Sequence, residues 1–169
     1  WGGPNPDGKS AETGLLKSWP AQGPPVAWRA TGAGIGYSSF AASHGRIYTL
    51  GGRANREYVI AFAAGTGKKV WETPIGTLFS NDRGDGPRGT PTIDGDRLYA
   101  LGGSGDLVSL DVKSGKPLWS KNLLRDFGGR NISWGLSESP LVVNDRVLVQ
   151  AGGPGAWILA LNKANGAVL

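Results

Sequence analysis

The sequence predicts an all-β chain: an arc of a β-propeller with four-stranded antiparallel blades, about three of them. Three observations predict it. A motif recurs as Ala61-Phe-Ala-Ala-Gly-Thr-Gly-Lys-Lys-Val-Trp71, Ser109-Leu-Asp-Val-Lys-Ser-Gly-Lys-Pro-Leu-Trp119 and Ala160-Leu-Asn-Lys-Ala-Asn-Gly-Ala-Val-Leu169, whose Trp would fall at position 170. Gly67, Gly115 and Gly166 lie 48 and 51 residues apart, and Trp71 and Trp119 lie 48 apart; a fixed period of this length marks a repeat architecture. Each period also holds four short apolar runs parted by Gly, Asp, Asn or Ser, the spacing of strands joined by tight turns. Four strands per period is the make-up of a propeller blade.

In chain order, residues 1–25 are rich in Pro and Gly and aperiodic, which predicts an N-terminal arm. Within it only Ala11-Glu-Thr-Gly-Leu-Leu-Lys-Ser-Trp19 has room for a helical turn. Residues 26–30 follow as a lone outer strand carrying Trp28. Blade one is expected over 36–74, blade two over 88–123, and blade three over 136–169 without its outer strand. Together 26–169 form the propeller arc. The inner strands are expected at 38–42, 90–94 and 139–143. A second strand in each blade ends at Gly-Gly, a third enters the recurring motif, and a fourth bears the Trp.

The residue types follow from the geometry such a unit needs. Gly67, Gly115 and Gly166 stand where a hairpin turn takes φ > 0, which costs Gly little and β-branched residues much. The small opening residues Ala61, Ser109 and Ala160 leave room for an indole ring to lie flat between blades. Burying a Trp removes roughly 150–250 Å² from water, an upper bound of about 4–6 kcal/mol. Trp28, Trp71 and Trp119 are therefore expected to fasten blade to blade rather than to touch a ligand.

The motif resembles the tryptophan-docking repeat of the PQQ-repeat β-propellers, a superfamily that includes quinoprotein alcohol dehydrogenases and the outer-membrane assembly lipoprotein. Residues 109–119 carry the resemblance most fully. Residues 61–71 depart from it at Ala63, where Asp is usual, and 160–169 match it in part. The segments Gly84-Asp-Gly-Pro-Arg-Gly-Thr-Pro91 and Ser133-Trp-Gly-Leu-Ser-Glu-Ser-Pro140 are similar to secreted bacterial members of the group. The resemblance implies an exported protein, periplasmic or extracellular, in a ring of seven or eight blades. Three blades do not close a ring. The chain is thus expected to be a processed piece of a longer propeller, or to be completed by other copies. In the second case strand addition between copies would give a ring or a filament.

Composition narrows the partners. The net charge is +5, from 18 basic and 13 acidic residues, with no basic run longer than Lys68-Lys69. Nucleic-acid binding wants clustered charge on one face; here the basic residues fall mostly at turns, which predicts a solvated surface. No stretch approaches the ~18–20 apolar residues of a membrane span. The absence of Cys excludes disulfides, thiolate metal sites and a cysteine nucleophile.

Candidate site residues come from the loops that enter the inner strands, because function concentrates on long loops held by a rigid scaffold. The loops at 76–89 and 121–138 are long, and the one at 31–37 is shorter. They are expected to bring Tyr37, Arg88 and Glu138 to matching positions at the channel mouth, with Trp134 and Asn81 nearby. An Arg–Glu salt bridge bracing adjacent blades is the preferred reading, and a site for a small polar ligand or a glycan is the other. Asp82 and Asp85 are the weak candidates for a hard cation, with a polar turn preferred, so no metal is expected. Gly32-Ala-Gly-Ile-Gly36 lacks the helix a dinucleotide loop requires. His44 has no companion ligands. Asn131-Ile-Ser133 is a glycosylation sequon.

The function expected is a non-enzymatic scaffold for binding or assembly, partnered by itself, the rest of a propeller or envelope proteins. A self-assembling filament subunit and a quinone-dependent dehydrogenase are the alternatives. The dehydrogenases' paired cysteines, calcium ligands and catalytic Asp cannot be matched to residues of this sequence, so neither catalysis nor PQQ is expected.

Overall fold

The computed structural model describes residue 9 and residues 11–169; the first part of the expected arm lies outside the described residues. Blade one is β1 (Ala41–Ser43), β2 (Arg46–Arg53), β3 (Arg56–Ala63) and β4 (Lys69–Thr77), hydrogen-bonded in that order. Blade two is β5 (Thr92–Asp94), β6 (Arg97–Leu101), β7 (Asp106–Asp111) and β8 (Pro117–Asn122). Blade three is β9 (Leu141–Val143), β10 (Arg146–Gly153) and β11 (Ala156–Asn162). All pairings are antiparallel, and a short helix, α1 (Leu123–Phe127), follows blade two.

Both faces of the central strands are apolar, and blade two packs against a neighbour on either side. The back of blade one (Tyr48, Leu50, Val59, Ala61) meets the front of blade two (Leu98, Ala100, Val108, Leu110). The back of blade two (Tyr99, Leu101, Leu107) meets the front of blade three (Val147, Val149, Leu159, Leu161). Alternation with period two supplies one residue to each seam in turn. The outer faces of the arc stay open: Phe40 at the front of blade one is 69% exposed and Ile158 at the back of blade three is 69% exposed.

The structure departs from the sequence expectations in several places. Residues 26–30 form no strand, because no described backbone lies alongside them to pair with, yet Trp28 still seats in the position of an outer-strand tryptophan. No helical turn forms in 11–19: Leu15, Leu16 and Trp19 are exposed, and without a surface to bury them so short a helix is not favoured. The helix α1 stands within the segment 121–138, where a loop is expected. Asn122 caps it, its Oδ1 accepting from Leu124 N and Arg125 N, and Gly128 ends it at φ +63°. Asn before Leu-Leu and Gly after Phe127 are the start and stop signals that mark it. The inner strands are shorter than expected, beginning at 41, 92 and 141.

Candidate functional site

The blades have two ends. At the motif end lie the β3–β4 turns and the β1–β2 turns. At the loop end lie the β2–β3 turns and the connections between blades.

At the motif end each seam is closed by an indole ring laid on a glycine. Gly115 and Gly166 take φ of +72° and +73°, and a Cβ there would stand 2.5 Å from Trp71 Cε3 and 2.9 Å from Trp119 Cδ2. Trp28 lies on Gly67 in the same way, its Nε1 donating to Ala64 O at 2.8 Å. The small residues Ala61 and Ser109 pair directly with Trp71 and Trp119, and Ala160 holds the corresponding place on β11. Sequence reasoning missed two further fasteners. Tyr48 and Tyr99 pack against Trp71 and Trp119 with ring centroids 5.9 Å apart and the planes tilted, and donate to Val112 O and Lys163 O. Arg46 and Arg97 donate to Lys113 O and Ala164 O. The signal was present in the repeated Arg-Ile-Tyr48 and Arg-Leu-Tyr99.

At the loop end the structure draws three connections together. Arg88 organises them: its Nε donates to Trp134 O at 2.5 Å, Nη2 to Gly84 O at 2.6 Å, and Nη1 to Gly86 O. The guanidinium also lies 4.6 Å from the Phe79 ring and 5.4 Å from the Tyr37 ring. Tyr37 Oη donates to Arg83 O at 3.0 Å, and Asn81 Nδ2 donates to Ser133 O at 2.6 Å. Arg83 stacks over Trp134 at 4.3 Å. The outcome is a tied surface on which Tyr37, Ile132 and Trp134 remain exposed beside Arg83. With its donors given to carbonyls, Arg88 shapes this surface rather than reaching out from it.

The expected residues distribute unevenly. Tyr37, Arg88 and Trp134 converge, whereas Glu138 does not join them. Tyr37 and Arg88 stand four residues before their inner strands and Glu138 three before its own, so Glu138 matches Gly89 instead. Glu138 Oε1 accepts from Gln150 N at 2.5 Å, and burial pushes its carboxyl pKa up against that hydrogen bond. No ion pair joins Arg88 to Glu138 among the described residues. Asp85 Oδ1 accepts from Ser80 Oγ at 2.5 Å and Asn81 N at 3.2 Å, closing a local turn. Asp82 and Asp85 line an open cleft of about 560 Å³ with Tyr37 and Asn81. Among the described residues no group of three or more metal-ligating side chains gathers. His44 is exposed and pairs with Ser43 Oγ, and Asn131 Nδ2 donates to Gly103 O at 2.9 Å.

A family model described as outer membrane protein assembly factor BamB matches residues 55–169. The BamB of Xanthomonas campestris pv. campestris is 34% identical over 112 residues, covering 64% of this chain and 24% of that protein. The BamB of Aliivibrio fischeri is 37% identical over 59 residues, covering 33% of this chain and 15% of that protein. The chain thus spans about a quarter or less of the curated relatives it matches. Among solved structures, BamB from Moraxella catarrhalis superposes with a TM-score of 0.58 at 22% identity, over 85% of this chain and 38% of that one. A quinohemoprotein alcohol dehydrogenase from Pseudomonas putida HK5 superposes with a TM-score of 0.62 at 21% identity, over 85% and 22%. At these identities the likeness to solved structures speaks for the propeller fold alone.

Proposed function

This chain belongs to the outer membrane protein assembly factor BamB family, and on that premise we propose that it acts as a non-enzymatic periplasmic scaffold. Its loop end docks envelope proteins during assembly of the outer membrane. One observation carries the reading: Arg88, Tyr37 and Asn81 tie the two inter-blade connections and the segment entering blade one into one surface that leaves Tyr37 and Trp134 exposed. Aromatic side chains on a rigid frame bring large contact area at little entropic cost, which is how binding hot spots are built. The reading includes no PQQ and no reaction. An absorption spectrum recorded after addition of the quinone and calcium tests that part, since a bound chromophore counts against it.

The docking test is an affinity measurement between the purified protein and purified outer-membrane assembly proteins. Replacing Tyr37 and Trp134 together by Ala weakens binding by about tenfold or more, the scale of a hot-spot loss. Lys113→Ala, at the exposed motif end, leaves the affinity unchanged. Equal affinity of the double variant and the parent removes the loop end as the docking surface.

The open faces favour a second reading, self-association. An apolar cavity of about 360 Å³ lined by Trp28, Phe40, Ala42, Ile47 and Phe62 marks the front of blade one, and Leu141, Val143 and Ile158 are exposed at the back of blade three. Within the chain such fronts and backs pair twice already. Light scattering separates the readings: a monomer at all concentrations leaves the scaffold alone.

A further inference from the structure

Glu57 sits on β3 at the loop end of the first seam and is 1% exposed. It belongs neither to the motif-end fasteners nor to the exposed surface. Oε1 accepts from Phe79 N at 3.1 Å and Oε2 from Gly103 N at 2.9 Å. Phe79 lies in the connection between blades one and two, and Gly103 in the β6–β7 turn. A single carboxylate therefore joins three segments that no backbone ladder connects. The cradle fits that carboxylate closely, since a Cβ at Gly102 would stand 2.5 Å from Oε2 and one at Gly103 would stand 2.6 Å from the Phe79 Cβ.

None of the ion pairs among the described residues includes Glu57. The charged groups facing it are Arg88, from the connection, and Asp106, from β7. Arg88 already gives its donors to carbonyls. Burial without a paired cation disfavours the anion and raises the pKa; the two N–H bonds and Arg88 pull it back down, and Asp106 pushes it further up.

We propose that Glu57 is a proton-operated latch, holding the 78–91 connection to blade two as a carboxylate and releasing one of its two amides when it gains a proton from solvent. The protonated oxygen becomes a donor facing an N–H donor, so the acid can keep at most one of the two bonds in full strength. The direction of linkage makes the release local. A folded pKa above the unfolded one means that the stability Glu57 contributes is complete below the unfolded value and is lost as pH rises through the folded value. Acidification therefore loosens the connection without weakening the sheets. Arg83 and Arg88, which shape the exposed surface around Trp134, are carried by the connection that loses part of this tie, while the bonds to Tyr37, Ser133 and Trp134 remain. The latch stands whatever docks on that surface.

Amide hydrogen exchange of the full chain, followed by NMR through the mildly acidic range and corrected for intrinsic rates, tests it. The amide of Phe79 or Gly103 loses about tenfold in protection, the worth of one hydrogen bond, as the Glu57 carboxyl titrates. The β3 and β7 strand amides keep theirs. In Glu57→Gln, which carries one acceptor and one donor in place of two acceptors, the same loss is present at every pH. Constant protection at both amides across the Glu57 titration overturns the proposal. So does loss of β3 protection in step with them, which would make Glu57 part of global unfolding. Should Glu57→Gln not fold, the titration of the parent protein decides alone.

Discussion

The two ends of the blades are held by opposite means. At the motif end the same parts recur from seam to seam: an indole on a glycine, a Tyr packed at a tilt against the indole, and an Arg reaching the next turn. At the loop end only small parts recur, a backbone N–H given to a hydroxyl of the next blade (Ser39 N to Thr90 Oγ1 at 3.3 Å, Thr90 N to Ser139 Oγ at 3.0 Å), and the larger fasteners do not. The first seam there rests on buried Glu57, and the loops on Arg88, and neither residue has a counterpart in the other blades. Fastening by repetition gives a rigid frame, because each part closes on backbone that every blade must have. Fastening by unique side chains leaves the loop end free to differ from blade to blade, which is what a recognition surface requires.

The sharpest way to break the contrast is to remove one part from each end. Trp119→Ala costs about 3–5 kcal/mol, the range for deleting a packed aromatic, measured by chemical denaturation. Trp134→Ala, at the loop end, stays within about 0.5 kcal/mol, as surface substitutions do. Comparable losses at both ends would erase the distinction.

Gly115→Ala comes next. It places a side chain at φ +72° and 2.5 Å from Trp71 Cε3, so it loses the left-handed penalty of about 1–2 kcal/mol plus the displaced ring. Gly95→Ala, at φ +57° with nothing within 4 Å, loses the first part only. The difference in denaturation midpoint between the two variants isolates the docking contact.

At the loop end Arg88→Lys keeps the charge but cannot reproduce three planar donations to Gly84, Gly86 and Trp134. Global stability falls by about 1 kcal/mol, near the net worth of a hydrogen bond, and amide protection drops around Gly84 rather than in the strands.

The smallest effect compares the two seams with each other. Trp119 Nε1 donates to Lys163 O at 3.0 Å, whereas Trp71 Nε1 has no partner. Tyr48 and Arg46 both donate to Val112 O, the carbonyl equivalent to Lys163 O. Trp119→Phe therefore costs more than Trp71→Phe by about 1 kcal/mol, and equal costs would show that the indole N–H contributes nothing to the seam.

Legibility follows the same division. The antiparallel four-stranded blade and the placement of Gly and Trp on a fixed period are readable, because a repeat writes its geometry into composition at regular intervals. Residues 26–30 show the limit of that reading: the Trp docks but no strand forms, since a ladder needs a partner and a docked ring does not. Arg88 reads in sequence as a charged loop residue, a brace to Glu138 or a ligand contact. Only its surroundings direct its donors to three carbonyls. Glu57, in Arg-Glu-Tyr-Val-Ile, carries no sign that it is buried, and Glu138 sits one residue out of phase with Arg88 once the inner strands are placed.

Local periodicity by itself determined that this protein is built of four-stranded blades closed by indole rings, because hydrogen-bonded strands and their turns depend on neighbours near in sequence. Tertiary structure alone decided which loop residues face solvent, which carboxylate is buried and which carbonyl each arginine finds. Those outcomes depend on segments about 46 residues apart, and no period in the chain encodes where their backbones meet.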